Sequence, residues 1–456
     1  MAAAIWIALV GVTSTLLSLA HANVRHLYVD STNGNDSLCT PYSNDWLPSS
    51  NVSCRTIQYA LHGDAGYEDC MQSSPLQDVT VHLADGIHSI HKELCIFSSI
   101  NVSLVAEHTG EASVHCANFS NYGYDPTNNR TYDNLYVNSS NGVTFRGLNF
   151  EHCGASSSNV FITHSSNILF DNCVFRGNIG PPLQVRFTSS LTLLNTQFIN
   201  NHDLSPATYD DSEVTFKSLY STIITSGGLT FFTNTAPTNI LISNCTFSYN
   251  EAGSNLPNST RPVIFKSKGH GGGVIIKLVA TRNCTIVIEN NVFSSNGAEL
   301  DGGAIYISLS DNASANTIVM SNNIFVNNTV QSASGGAVSV SSYFISYNNS
   351  IMVNGCTFTN NSGNSGGAFS VALYDSNYNS AQYPDTVTFY NCKFIGNSAF
   401  REGTAVGLFS VIRVDQIGFP VYFVDCIFDS NLSLEDLRDT SALTAFRFPV
   451  YLSGRR

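Results

Sequence analysis

Two short fragments of this chain hold residues that can move protons. Asp210 and Asp211 stand side by side, and "GHG" at Gly269–Gly271 sets the imidazole of His270 between two glycines. Paired carboxylates can protonate a leaving oxygen and activate water, and a histidine titrates near neutral pH. Sixty residues separate the fragments, so only a fold that stacks distant segments can join them. Each fragment also has a plain reading, a charged loop and a Gly-rich corner, and that reading is preferred. Proton abstraction beside a uronate needs a base, for which Arg176, Arg186, Lys217 and Lys266 are candidates, and a cluster of acids to hold calcium. Asp301, Asp311, Asp375 and Asp425 stand alone and read as solvated loop residues. His82, His88, His91, His108 and His115 gather early without ligand spacing and read as surface residues. No metal site and no cofactor is expected.

Residues suited to binding are more plentiful. "SYFISYNN" and "ALYDSNYNSAQYP" place Tyr343, Tyr347, Tyr374, Tyr378 and Tyr383 in two insertions. Aromatic loops on a rigid scaffold suit a sugar or a protein surface, or they simply cover the face beneath them. The expected partners are extracellular glycans or cell-surface proteins. Nucleic acid is excluded, because a formal charge of −13 opposes its phosphates.

The N-terminus predicts export. Ile5 to Leu19 is a short apolar run, and "AHA" at Ala20–Ala22 fits a small-x-small cleavage site, although no Lys or Arg precedes the run. Residues 1–22 are therefore read as a signal peptide, and no membrane span is expected in the rest. Twelve cysteines and fourteen Asn-x-Ser/Thr sequons agree with a secreted glycoprotein. The leading glycosylation candidates are Asn35, Asn51, Asn101, Asn129, Asn258 and Asn312. Asn244, Asn327 and Asn360 lie inside a repeated motif, where a glycan has less room. Cys39 with Cys54 and Cys70 with Cys95 are candidate disulfides, but connectivity is not readable from sequence.

The elements that must position these residues come from a repeat. Phe175, Phe198, Phe247, Phe293, Phe325, Phe358, Phe394 and Phe428 are each followed three residues later by Asn, with Phe150 as a degenerate extra row. Spacings begin at 25 and 23, double to 49 and 46, then settle at 32, 33, 36 and 34. Such periods mean stacked units. The segments before each phenylalanine, such as "TIVIEN" and "NTIVMS", are short, β-branched and alternating, which predicts strands. Only 12% of residues are charged, against about 25% in ordinary domains. Parallel stacking puts each phenylalanine above the last as an interior ladder. Asn296, Asn328, Asn361 and Asn397 then both adopt left-handed turn conformations and hydrogen-bond along the stack. Gly302-Gly303, Gly335-Gly336 and Gly366-Gly367 allow sharp bends, each followed by a corner alanine. Cys173, Cys245, Cys356, Cys392 and Cys426, two residues before a ladder phenylalanine, read as small buried hydrophobes, with a Cys356–Cys392 bridge geometrically open.

Phe-x-x-Asn with a downstream Gly-Gly-Ala-Ile/Val resembles the repeat of chlamydial polymorphic outer membrane proteins, which also occurs in exported eukaryotic proteins. The pair covers about Asn172 to Asn431, with "GPPLQV" and "GGGVII" replacing the glycine half in early rows. "HLYVDSTNGNDS" and "CRTIQYAL" look like the opening of pectin-lyase-like β-helices, where a strand and a turn precede a short capping helix. That resemblance implies a pectin-lyase-like fold, which hosts polysaccharide lyases and hydrolases. Polygalacturonase-like hydrolases carry Asn-Thr-Asp, Asp-Asp, Gly-His-Gly and Arg-x-Lys, and this chain lacks the first and last.

The expected fold is all-β, a right-handed single-stranded parallel β-helix. The expected organisation is an N-terminal strand and cap over 23–78 and the helix proper over 79–456, with clear repeats over 172–431 and a C-terminus that reads as truncated. The expected function is extracellular adhesion or glycan and matrix binding without catalysis. The alternatives are a carbohydrate-active enzyme with an atypical site, and a structural ectodomain of a larger receptor.

Overall fold

A computed structural model describes residues 24–39, 41, 52–63, 75–90, 94–116, 135–153, 158–203, 226–234, 237–253, 269–343, 346–373, 385–410, 421–433, 443–445 and 450–453. Within them the chain winds in coils: the early coils visit three sheets, and from His202 onward each coil visits four. Thr317–Ser321 joins the first sheet, Ile324–Val326 the second, Thr329–Val330 a narrow one and Val338–Ser342 the third, and Ser350–Asn354 then returns to the first. The sheets hold 13, 11, 7 and 11 described strands in that order, and neighbouring coils pair in parallel throughout.

The alternating strands put Ile318 and Met320 inside, both fully buried, and leave Val319 half outside. The predicted phenylalanine ladder is present. From Phe175 to Phe428 each ring stacks on the next at 4.7–4.9 Å and within 8° of parallel, and Phe150 extends the column. Burying one such ring contributes about 1.5–3 kcal/mol, with stacking adding about 0.5–1.5 kcal/mol.

The asparagines divide their labour, which the sequence reading did not separate. Asn178, Asn201, Asn250, Asn296, Asn328, Asn361 and Asn397 are buried, each Nδ2 donating to the next row's Oδ1 at 2.8–3.0 Å. Each also donates to a phenylalanine carbonyl one coil back, as Asn328 does to Phe293 O at 3.0 Å. The left-handed conformation belongs to the residue before: Asn200, Asn327 and Asn360 have φ of 52–55° and are exposed. Turning the chain and satisfying its buried polar groups are thus two jobs on adjacent residues.

Gly302, Gly335 and Gly366 have φ of 63–75°. A Cβ on Gly336 would lie 2.1 Å from Gly367 O, so adjacent coils touch backbone to backbone at the second glycine. Register places Gly228 and Gly273 in the column of Ala304, one step before Leu229, Val274 and Ile305. The same corner therefore exists where the motif is unrecognisable.

At the N-terminal end, the helix Ile57–His62 places Ile57, Ala60 and Leu61 in the core and begins at Thr56, whose side chain accepts from Tyr59 N at 3.2 Å. Asp36 accepts from Arg55 N at 2.7 Å and Thr56 N at 3.0 Å, and the Cys39–Cys54 disulfide ties the loop beside it. Cys95 is also disulfide-bonded, while Cys70 lies outside the described residues. A Cys116–Cys153 disulfide joins neighbouring coils and was not anticipated. Cys173, Cys245, Cys356, Cys392 and Cys426 are free, so the Cys356–Cys392 bridge is not made. Burial pushes the Cys173 and Cys245 thiols up to about 12, as suits an inert hydrophobe. No helix of the described residues is long and apolar enough to cross a membrane.

Candidate functional site

Side chains alternate along every strand, so each sheet has an inner and an outer face. On the third sheet the inner residues Ile305, Ile307 and Leu309 join the core. The outer residues Tyr306 and Ser308 are also buried, at 2% and 3% exposure. One outer column runs Ile275, Tyr306, Ser339, Ser370. The next runs Phe232, Lys277, Ser308, Ser341. Here chemistry concentrates.

His270, one of the sequence candidates, stacks on Tyr306 with ring centroids 4.5 Å apart. Its Nδ1 lies 3.4 Å from Asp301 Oδ2 without hydrogen-bond alignment. Asp301 is not the solvated loop residue expected: its side chain is 15% exposed, and Oδ1 accepts from Ser334 N at 3.1 Å. Tyr343 turns its hydroxyl to within 3.3 Å of the Tyr306 hydroxyl. Burial pushes both phenols up, Tyr306 well above its ordinary value, so both stay neutral. Burial also lowers Lys277, whose ammonium lies 5.9 Å from the Phe232 ring centre, while Asp311 opposes that shift. The hydroxyls of Ser339, Ser370 and Thr404 are buried with no partner among the described residues.

The remaining candidates are scattered or outside the described residues. Asp210, Asp211, Lys217, Lys266, His91, Asp375, Tyr374, Tyr378 and Tyr383 lie outside. Tyr347 sits at the corner between third and first sheets, bridging to Ser314. Arg176 pairs with Glu151 at 3.4 Å and Arg186 covers the Phe161 ring at 5.4 Å. His108 pairs with Asp85 at 3.0 Å, His115 lies 3.7 Å from Glu151, and His82 stacks with His26 and Tyr28. His88 is a correction: it is 2% exposed, with Nε2 2.7 Å from Ala84 O. Asp36, Cys39 and Cys54 have metal-ligand spacing among the described residues, but the disulfide takes both sulfurs.

Sequence reasoning passed over Lys277 and Tyr306. The available signal was a lone lysine in the apolar run "VIIKLV" and a tyrosine in "AIYISLS". Nothing in either run told the outer face from the inner.

The outer faces of the first and second sheets differ in kind. In the strands between Ser190 and Tyr390 on these sheets, Glu289 is the sole charged residue. Thr285, Thr317, Ser350 and Thr386 form a hydroxyl column, with Val287, Val319, Met352 and Thr388 beside it. Ile324 and Met352 are 47% and 38% exposed.

Residues 205–351 match the family described as right-handed beta helix region, which is less than half of the chain. No curated protein sequence matches it. Among solved structures, pectate lyase Pel9A is 13% identical, covering 93% of this chain and 82% of its own, with a TM-score of 0.38. A mannuronic acid specific polysaccharide family 6 lyase from human gut microbiota is 12% identical over 77% and 81%, with a TM-score of 0.34. PfbA, a surface adhesin of Streptococcus pneumoniae, is 10% identical over 82% and 83%, with a TM-score of 0.30. These distant likenesses carry no argument about activity. Four stacked parallel sheets and the family match together make the chain a right-handed parallel β-helix.

Proposed function

We propose that this protein is an extracellular β-helix that binds an extended partner, a glycan strand or a matrix polymer, without chemical turnover. One observation carries the reading: the charge-poor columns of hydroxyl and methyl groups on the outer faces of the first and second sheets. Groups repeated at ~4.8 Å on a rigid, nearly flat surface suit a repeating polymer. The scarcity of charge between Ser190 and Tyr390 favours a neutral partner over a polyanion. Disulfides are consistent with an oxidising, extracellular setting. The test is a glycan array with and without calcium, followed by a product assay on each hit. Binding without product, lost on Val319→Asp, supports the proposal; new reducing ends or unsaturated products overturn it.

A second reading, a carbohydrate-active enzyme, is favoured by the third-sheet cluster. Tyr306 and Tyr343 meet hydroxyl to hydroxyl with the His270 imidazole stacked on Tyr306, and Lys277, lowered by burial, stands in the adjacent outer column; amines, phenols and imidazoles are the groups that serve as bases and acids. In that case the product assay responds to Lys277→Met and His270→Ala.

A further inference from the structure

We infer that N-linked glycans attach at the left-handed turn asparagines Asn244, Asn283, Asn327, Asn348 and Asn360, and not at the sequon of Asn431. This rests on the extracellular reading and adds sites that the sequence disfavoured or did not single out. Each of the five is exposed with a φ of 52–57°. In each, the next residue (Cys245, Cys284, Asn328, Asn349 or Asn361) is buried in an inner column. The residue after that opens a strand: Thr246, Thr285, Thr329, Ser350 and Ser362 are first residues of theirs. The corner of the coil therefore spells Asn, an inward residue, then Ser or Thr, which is the acceptor sequence itself. Its geometry turns the asparagine amide away from the core.

Asn431 carries the same tripeptide one position out of phase. It is the second residue of its corner, after Ser430 with a φ of 53°. Its Nδ2 donates to Phe394 O at 3.1 Å, and its Oδ1 accepts from Asn397 N and Nδ2, both at 3.0 Å. Asn101, a leading candidate from sequence, is exposed, but its Nδ2 donates to Asp78 Oδ1 at 2.8 Å, a bond that a glycan would weaken.

In the transfer, Nδ2 forms a bond to C1 of the reducing sugar of a lipid-diphosphate-linked oligosaccharide. The C1–oxygen bond to the diphosphate breaks, the lipid diphosphate leaves, and Nδ2 loses one proton. The folded coil keeps every inner hydrogen bond when this happens at a turn-first asparagine, and loses a ladder amide when it happens at Asn431. Asn244 stands at one edge of the first sheet and Asn283 and Asn348 at the other, so the glycans would frame the columns proposed to bind.

The full chain, secreted from a eukaryotic host, is treated with an amidase that converts each glycosylated asparagine to aspartate, and every sequon is scored by peptide mass. The expected result is occupancy at the five turn-first sites and none at Asn431. Occupied Asn35 and Asn312 with empty turn-first sites would overturn this inference alone, as would a filled Asn431. A secreted chain with no occupied sequon overturns it too, and a chain that is never secreted overturns the extracellular reading with it. Thr329→Val and Ser362→Ala keep Asn327 and Asn360 but remove their acceptor hydroxyls. Each should abolish the mass shift at its own site and leave secretion unchanged.

Discussion

The first and third sheets have the same strand spacing and the same inner packing, yet their outer faces do opposite things. The first shows uniform columns, Thr285 over Thr317 and Val287 over Val319, with methyls and hydroxyls reaching solvent. The third breaks its columns where chemistry gathers, from Ile275 to Tyr306 to Ser339 and from Phe232 to Lys277 to Ser308, and buries the residues at the breaks from Tyr306 on. Uniformity across coils is what a repeat delivers when each layer is built on the last. A run of unlike residues, some with buried hydroxyls that have no partner among the described residues, is a departure that the stack alone does not require. The proposed binding surface therefore lies on the first sheet, and the alternative reading, local chemistry, would lie on the third.

The inner ladders set the scale against which both outer faces are judged. Phe325→Ala should cost about 3–5 kcal/mol in denaturant unfolding, as for other large buried aromatics; a loss below ~1 kcal/mol would mean that the ladder is not what holds the coils together. Asn328→Ala should cost about 2–4 kcal/mol, because it strands the Asn296 amide and the Phe293 carbonyl at once.

The neighbouring ladder, Asn316 to Asn349 to Asp385, ends in an acid that accepts from Asn349 N and Nδ2 and from Ser346 Oγ. Burial raises the Asp385 carboxyl above its ordinary 3.8 despite those bonds. The folded chain therefore holds this proton more tightly than the unfolded chain, and stability falls as pH rises from about 4 through the raised value. Asp385→Asn extends the amide ladder and removes the buried charge. It should stabilise by about 1 kcal/mol at pH 7, and the gain should vanish below pH ~4; an equal effect at both pH values would exclude the titration as its cause.

On the third sheet, Tyr343→Phe should cost about 0.5–1.5 kcal/mol through the lost hydroxyl contact with Tyr306. On the first sheet, Val319→Asp should cost about 1 kcal/mol, since Val319 is half-buried in a strand interior where Asp is disfavoured, while abolishing glycan binding. Glycan binding lost in Tyr343→Phe as fully as in Val319→Asp would erase the distinction between the faces.

Much of this was legible in the sequence. The phenylalanine column and the glycine bends announce themselves because identical residues recur at one phase of the coil, and the N-terminal cap was read from a resemblance instead. Asp301, Lys277 and Tyr306 did not, because each occurs in one coil only and no period selects it. The phase of the sequons was hidden for a related reason: Asn360 and Asn431 belong to the same local pattern, and their difference is one residue of phase against a left-handed turn.

The sequence by itself determined the coil, since the repeat dictates which residues must stack and which must turn. Tertiary structure alone decided which outer faces stay exposed, which asparagine of each corner faces water, and that His270, Asp301, Tyr306 and Tyr343 meet. Those outcomes depend on register between coils about thirty residues apart and on what covers each face, and the local pattern of a single coil contains neither.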